Sequence, residues 1–262
     1  MRLFLDAIGL RGPGLEGWVA SIPLLEGGVP YAAVPTMIPP ATLLPANERR
    51  RAPQTVKLAL AVGVEAFASA DIAPAACSTV FASSGGDGET IHDILATLAG
   101  PVRELSPTRF HNSVHNVAAG YWSIATGAKR PATSLCAHDG SFAAGLLEAG
   151  AQALATDGTV ALIAYDLPYP QPLAATRHIG AAFAVALLLS PTASGRSLAR
   201  LEVELGAPTS RACAIPALEA LRRSIPAARV LPLLEALARR EKTAMSLDYL
   251  DDLGLALRVA PL

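Results

Sequence analysis

Charge is scarce in this chain. Only 16% of its residues are Asp, Glu, Lys or Arg, and 21 basic against 22 acidic side chains leave a formal net charge of −1. Such a balance removes any general electrostatic case for nucleic acid or an anionic membrane surface as partner. Cysteine is scarce as well. Cys77, Cys136 and Cys213 are odd in number and show no C-x-x-C spacing, so neither a disulfide framework nor a zinc ribbon is supported, which fits a reducing cytosol. Long hydrophobic runs are missing. The longest, Ile179 to Leu189, is too short to cross a bilayer and reads as a buried strand. At the amino terminus Asp6 introduces a charge too early for a signal peptide. The expectation is a cytoplasmic protein with no integral membrane segment.

What the chain does have is apolar surface. Hydrophobic residues make up 52% of its 262 positions, and mean hydropathy is +0.38. That length suits one large α/β domain or two small ones. So apolar a chain must hide much of its surface, in a multilayer core or against a partner.

Patterning gives alternating strands and helices. A strand is expected over Leu3 to Ala7, then a Gly12-Pro13-Gly14 turn and a short helix through Trp18. Val29 to Pro45 is proline-rich without periodicity and reads as a long surface loop. Thr55 to Ser69 carries helical spacing, and Ser78 to Ser83 is β-rich before a Ser84-Gly85-Gly86-Asp87-Gly88 turn and a helix over Thr90 to Leu98. Helices over Val114 to Thr126 and Gly140 to Ala155 flank a strand from Ala132 to His138. Thr159 to Tyr165, Gly180 to Leu189, Leu201 to Leu205 and Leu253 to Val259 are strand-like, with helices at Ala217 to Arg223 and Val230 to Arg240. This alternation argues for a layered α/β fold.

One stretch, Ser106 to Asp166, carries a specific pattern: Asn116, three residues, Gly120, six residues, Gly127, three residues, Pro131, and then a strand. It resembles the first half of the β-ketoacyl synthases, members of the thiolase superfamily. Weaker marks in the same order are Ser106-Pro107, the glycine-rich turn after Ser83 and the glycine-marked first strand. The resemblance covers about residues 1 to 190. It implies a thiolase-like layered α/β fold, truncated to an amino-terminal half (1–190) with a short α/β tail (191–262) that completes or covers it.

In that family the nucleophilic cysteine lies eight positions after the proline, where a helix amino terminus stabilises thiolate. Here that position is Asp139. A carboxylate attacking a thioester gives a high-energy anhydride, so the resemblance implies that the nucleophile is missing. Cys136, three residues earlier on the expected strand, points to the other face by period-two alternation and reads as a buried hydrophobe. The two catalytic histidines of condensing enzymes come from their carboxy-terminal half. The histidines here, His92, His111, His115, His138 and His178, leave the last third empty.

The implied protein is therefore similar to the short ketosynthase-like proteins of aryl polyene or xanthomonadin-type and fatty-acid-like clusters. It is similar too to the chain-length factors that lack the cysteine and pair with a competent ketosynthase. The implied assembly is a heterodimer in which the Ala132 to His138 strand lies beside its partner's equivalent. Phe110, His111, His115, Asn116, Trp122, Cys136 and His138 would border the shared acyl tunnel, and an acyl carrier protein would be a further partner. No cofactor and no metal are expected. Alternatives are an independent acyltransferase or thioesterase using Cys136 or Ser141, a structural homodimer, and an active ketosynthase using a partner's histidines.

Simpler roles stand beside these. Asp139 suits an N-cap, accepting a backbone N–H of the helix that starts at Gly140. Gly145 and Gly150 fit a closely packed central helix. His111 and His115 share a helix face, but Asn112 stands where a zincin has Glu. His138, Asp139 and Ser141 lack the G-x-S-x-G elbow. Gly85-Gly86-Asp87-Gly88 matches no phosphate loop and reads as a tight turn. Arg49-Arg50-Arg51 and Lys129-Arg130 read as solvated faces before they read as a carrier-protein contact.

Overall fold

A mixed sheet of nine strands organises the chain, and the computed structural model describes it over residues 1–207 and 211–262. The first strand, β1 (Arg2–Gly12), turns through Pro13 and Gly14 into the short β2 (Leu15–Glu16), and α1 (Trp18–Leu25) follows. The proline-rich segment, without regular structure as expected, leads to α2 (Ala46–Arg51) and the long α3 (Gln54–Ala70). Next come β3 (Ser78–Ala82), α4 (Gly88–Ala99), α5 (Pro107–Asn112) and α6 (Val117–Thr126). Then β4 (Ala132–Leu135), α7 (Ser141–Thr156), β5 (Val160–Asp166), the single turn α8 (Leu173–Thr176) and β6 (Phe183–Ser190). The chain closes with β7 (Ala199–Gly206), α9 (Pro216–Ser224), α10 (Leu231–Ala238), β8 (Thr243–Asp248) and β9 (Gly254–Pro261).

The sheet order is β4-β3-β5-β6-β1-β7-β9-β8, with β2 paired to β1. Only β3 pairs in parallel, with β4 and β5; the other ladders are antiparallel. β5 and β6 are buried along their whole length, which is why they read as continuous apolar runs. Their side chains alternate between two cores. Val160, Leu162, Val185, Leu187 and Leu189 face the layer of α1, α7, α9 and α10. Ala161, Ile163, Tyr165, Ala184, Ala186 and Leu188 face α3 and α6. Each fully buried leucine contributes about 1.5–3 kcal/mol, so these two strands anchor the layered architecture.

α7 is as central as its glycines suggest. A Cβ on Gly145 would lie 2.7 Å from Leu162 Cδ1, and one on Gly150 would lie 2.7 Å from Leu3 Cδ1. The part after residue 190 continues the same sheet, because β7 pairs with the outer edge of β1 and carries β9 and β8 beyond it.

Some boundaries differ from expectation for local reasons. β1 runs on to Gly12 because its far half pairs with β6. The helix expected from Val114 starts at Val117, and Pro107, at a helix first turn, begins the separate α5. The strand expected to reach His138 stops at Leu135, since His138 has a left-handed backbone (φ 48°) that ends extension. The edge strand β8 and the short α2 carry no clear periodicity and were not anticipated.

Candidate functional site

The expected nucleophile position lies at the corner between edge strand β4 and helix α7. After Leu135 the chain enters a tight 3₁₀ turn over His138–Gly140 before α7 begins. The turn is fastened by Ser141, whose buried hydroxyl accepts from Ala137 N (3.0 Å) and donates to the His138 carbonyl (2.7 Å). With its proton committed to a carbonyl, Ser141 is a structural residue and not a poised nucleophile. Gly140 is required by close approach: a Cβ there would overlap the Tyr249 carbonyl oxygen. The corner is thus closed over by the segment that follows β8.

Asp139 does not cap α7. The N-cap of α7 is Gly140, without a side-chain cap bond; the 3₁₀ turn inserts one residue between Asp139 and the helix and aims the carboxylate elsewhere. It accepts from Arg177 Nη2 at 2.7 Å through Oδ1 and from Arg229 Nη2 at 3.1 Å through Oδ2. Partial burial alone would raise this carboxyl, but the Arg177 hydrogen bond and the charges of Arg229 and Arg177 outweigh it. They hold Asp139 below the ordinary carboxylate range. Arg177 Nη1 also donates to His138 Nε2 at 2.7 Å. An arginine N–H can only donate, so Nε2 is the acceptor and the imidazole proton sits on Nδ1, 3.6 Å from Asp139 Oδ1.

The cluster extends into the tail. Arg229 pairs with Asp248 at 3.4 Å, Asp248 with Arg222 at 2.5 Å, and Arg222 with Glu219 at 2.8 Å. Hydrogen bonding from Arg222, opposed by burial, holds Glu219 down to about 2, with Cys213 N and Arg223 adding to the effect. Between the corner and the segment Tyr249–Asp252 lies an open cleft of about 640 Å³ lined by His138, Asp139, Arg229 and Asp248.

A second anchor lies one strand inward. Asp166, buried at the end of β5, accepts from Ser84 N (2.8 Å), Ser84 Oγ (2.7 Å) and Ala227 N (2.8 Å). It ties the end of β3 to the Pro226–Val230 turn. Burial pushes its carboxyl up, against hydrogen bonds from Ser84 and Ala227 and the charge of Arg177. Cys136 is exposed rather than buried, and its Sγ donates to the Ser84 carbonyl at 3.1 Å. Because β4 ends at Leu135, strand alternation does not reach from Cys136 to Asp139. The glycine turn after Ser84 serves packing. Cβ atoms on Gly85 and Gly88 would overlap Tyr169, and Asp87 caps α4 by accepting from Thr90 N at 2.7 Å.

The other expected tunnel residues are scattered in character. Phe110 is 64% exposed, and His111, also exposed, meets Tyr121 edge-on with ring centroids 6.2 Å apart. His115 is half-buried, with Nε2 unpartnered, and Asn116 is exposed before α6 without capping it. Trp122 is 1% exposed and packs against Phe67, Phe81 and Gly63, which is core packing and not a border position. Of the basic run, Arg49 is used internally, donating to the Thr42 and Leu44 carbonyls at 2.9 Å each. Arg177, Arg229, Asp166 and Ser84 were missed; each meets its partner only through the fold, and none sits in a local motif. Among the described residues there is no group of three or more His, Cys, Asp or Glu placed to hold a metal. No helix among them is long and apolar enough to cross a membrane.

A layered mixed sheet, with a central helix rising from the corner of an edge strand, defines the class: a thiolase-like α/β protein. Residues 28–245 match the family described as β-ketoacyl synthase, N-terminal domain, and the chain belongs to that family. It is similar to a chain of the complex of the ketosynthase ApeO with its chain length factor ApeC from Xenorhabdus doucetiae. There the identity is 23% and the TM-score 0.73, over 98% of this chain and 99% of that one. It is similar to the ishigamide ketosynthase/chain length factor, with 14% identity and a TM-score of 0.77 over 100% of both chains. A type II polyketide ketosynthase complexed with its acyl-carrier protein (AntDE:AntF) aligns at 11% identity and TM-score 0.73, over 100% and 99% of the two chains. At these identities the likeness establishes the fold. No curated protein matches the chain.

Proposed function

We propose that the chain is a non-catalytic ketosynthase-like subunit of the chain-length-factor type, acting in the cytoplasm as a heterodimer with an active β-ketoacyl synthase. One observation carries this reading: Asp139, at the strand-to-helix corner, is an ionised carboxylate held by Arg177 and Arg229. A carboxylate so paired is a poor nucleophile, and its anhydride with an acyl group would not store the chain as a thioester does. The nearest thiol, Cys136, is bound to the Ser84 carbonyl. His138 is the imidazole in contact with Asp139, and it is engaged with Arg177.

Pairing is supported by the free edge of β4 and by the apolar side chains exposed near it in sequence and on α4 to α6, among them Leu95, Phe110, Val114 and Ile124. A sheet edge left open presents unpaired backbone groups and invites a second strand. In the dimer, Phe110, His111, His115, Asn116, Cys136 and His138 border the acyl tunnel, and the subunit limits chain growth while its partner performs the Claisen condensation. Carrier protein delivers substrate to the partner's thiol.

The test is co-expression with a neighbouring ketosynthase, followed by purification and product analysis, with intact-mass measurement of each subunit after incubation with acyl and malonyl carrier protein. The reading expects condensation only in the pair, with the adduct on the partner alone. Condensation by this chain alone, or a stoichiometric acyl adduct on it, would falsify the reading.

A further inference from the structure

The face of α3 turned away from the sheet forms, with the proline-rich segment, a slot that has no role in the site above. It encloses about 270 Å³ and is lined by Pro39, Pro40, Leu43, Leu60, Ala61 and Val64, with Arg11, Lys57 and Glu65 as its charged members. It shares no lining residue with the β4–α7 corner. The slot is preformed. Its proline wall is pinned by buried Ala41 and Leu44 and by the two Arg49 hydrogen bonds to the Thr42 and Leu44 carbonyls.

Two of its three charges are already satisfied. Glu65 accepts from Arg11 Nη1 at 2.7 Å, from Trp18 N at 2.6 Å and from Leu10 N at 3.3 Å. The Arg11–Glu65 pair is therefore internally neutral. Lys57 differs: among the described residues no carboxylate lies within ion-pair distance of its ammonium. The lining thus has an apolar body and one cation outside any ion pair, although Lys57 also borders the neighbouring cleft that holds Asp87, Glu89 and Asp93. At about 270 Å³ it lies at the small end of ligand-sized cavities, which suits a ligand of modest length.

We propose that this slot binds an unbranched aliphatic carboxylate of medium length, its tail along Leu60, Ala61 and Val64 and its carboxylate on Lys57. Apolar fit supplies most of the affinity and the ammonium selects the charged head. The inference does not depend on the subunit reading.

Sodium octanoate and octanol, titrated into the full chain by calorimetry, test it. Octanoate should bind saturably at one site and more tightly than octanol. Lys57→Met should weaken octanoate about fivefold, the size of an exposed ion pair, and abolish the preference over octanol. Ala61→Trp should fill the slot and abolish binding. Leu43 is more than half exposed, so Leu43→Glu is a second block that does not burden the core, and it should repel the carboxylate if the tryptophan variant fails to fold. Absence of saturable binding, or binding indifferent to the folded blocking variant, overturns the proposal.

Discussion

Asp139 and Arg177 meet at 2.7 Å across the strand-to-helix corner, and the same guanidinium holds the His138 imidazole at 2.7 Å. One arginine therefore fixes both His138 and Asp139 at this corner. Asp139 is 45% exposed, so solvent screening limits each of its contacts to about 0.5–1 kcal/mol. Replacing it by alanine or cysteine leaves Arg177 without a carboxylate partner and Arg229 with Asp248 alone. The expected cost is about 1–2 kcal/mol, a fall in Tm of roughly 2–8 °C by calorimetry. Asp139→Cys should gain no condensing activity with acyl and malonyl carrier protein, because two arginines and an engaged imidazole do not supply the missing histidines. Turnover by this single variant would show the corner to be one residue from an active site.

Acid stability should follow Glu219 more than Asp139. Both carboxyls are held low in the folded chain, Glu219 to about 2 from 4.5. A depressed folded value means stabilisation that is complete above the unfolded pKa and lost as pH falls through the folded one. For Glu219, mostly buried beside Arg222, that is roughly 3 kcal/mol, lost between about pH 4.5 and 2. Asp166 runs the other way: its carboxyl is raised, so its contribution is present at low pH and disappears as pH rises through the folded value. Urea unfolding from pH 2 to 7 should show Glu219→Gln less stable at neutral pH and with a flatter acid limb. An unchanged limb would remove Glu219 from the account.

Two glycines predict opposite signs. A methyl on Gly140 overlaps the Tyr249 carbonyl, so Gly140→Ala must move backbone and should cost about 1–3 kcal/mol. Gly120, on the solvent face of helix α6, meets nothing within 4 Å. Gly120→Ala should therefore stabilise the isolated chain by about 0.4–1 kcal/mol, through the unfolded state. Thermal unfolding of both variants decides, and a destabilised Gly120→Ala would mean that α6 is packed differently in solution.

Much of this was legible along the chain, for identifiable reasons. β5 and β6 announced themselves because both faces are buried, and α7 lies within one residue of its expected bounds because its glycines and alanines mark a crowded helix. The spacing from Asn116 to Pro131 placed residue 139 at the corner. What Asp139 does there was not legible. Its partners stand 38 and 90 residues away, and nothing in a local pattern brings Arg177 or Arg229 to it. The N-cap reading failed over a single 3₁₀ turn, which a sequence pattern does not distinguish from the start of a helix. β8 escaped because a short edge strand of mixed polarity, Thr243 to Asp248, lacks the apolar run of a central one.

The edge of β4 yields the sharpest test of pairing. Thr79 N donates to the Pro131 carbonyl and Ser83 N to the Leu135 carbonyl. By alternation residues 131, 133 and 135 turn their backbone groups to β3, while Ser134 turns its N–H and carbonyl to the open side. Ser134→Pro removes that outward donor and fills the edge without touching the β3 ladder, and proline is tolerated on edge strands in this orientation. The isolated variant should keep its circular dichroism and fall by less than about 4 °C in Tm, because the Ser134 hydroxyl has no hydrogen-bond partner to lose. Co-purification with the ketosynthase should drop at least about tenfold, since a seam of strand against strand loses a hydrogen bond and gains a clash at its centre. If a folded Ser134→Pro chain still pairs at full yield, the seam lies elsewhere, and the exposed apolar side chains of α4 to α6 become the surface to mutate next.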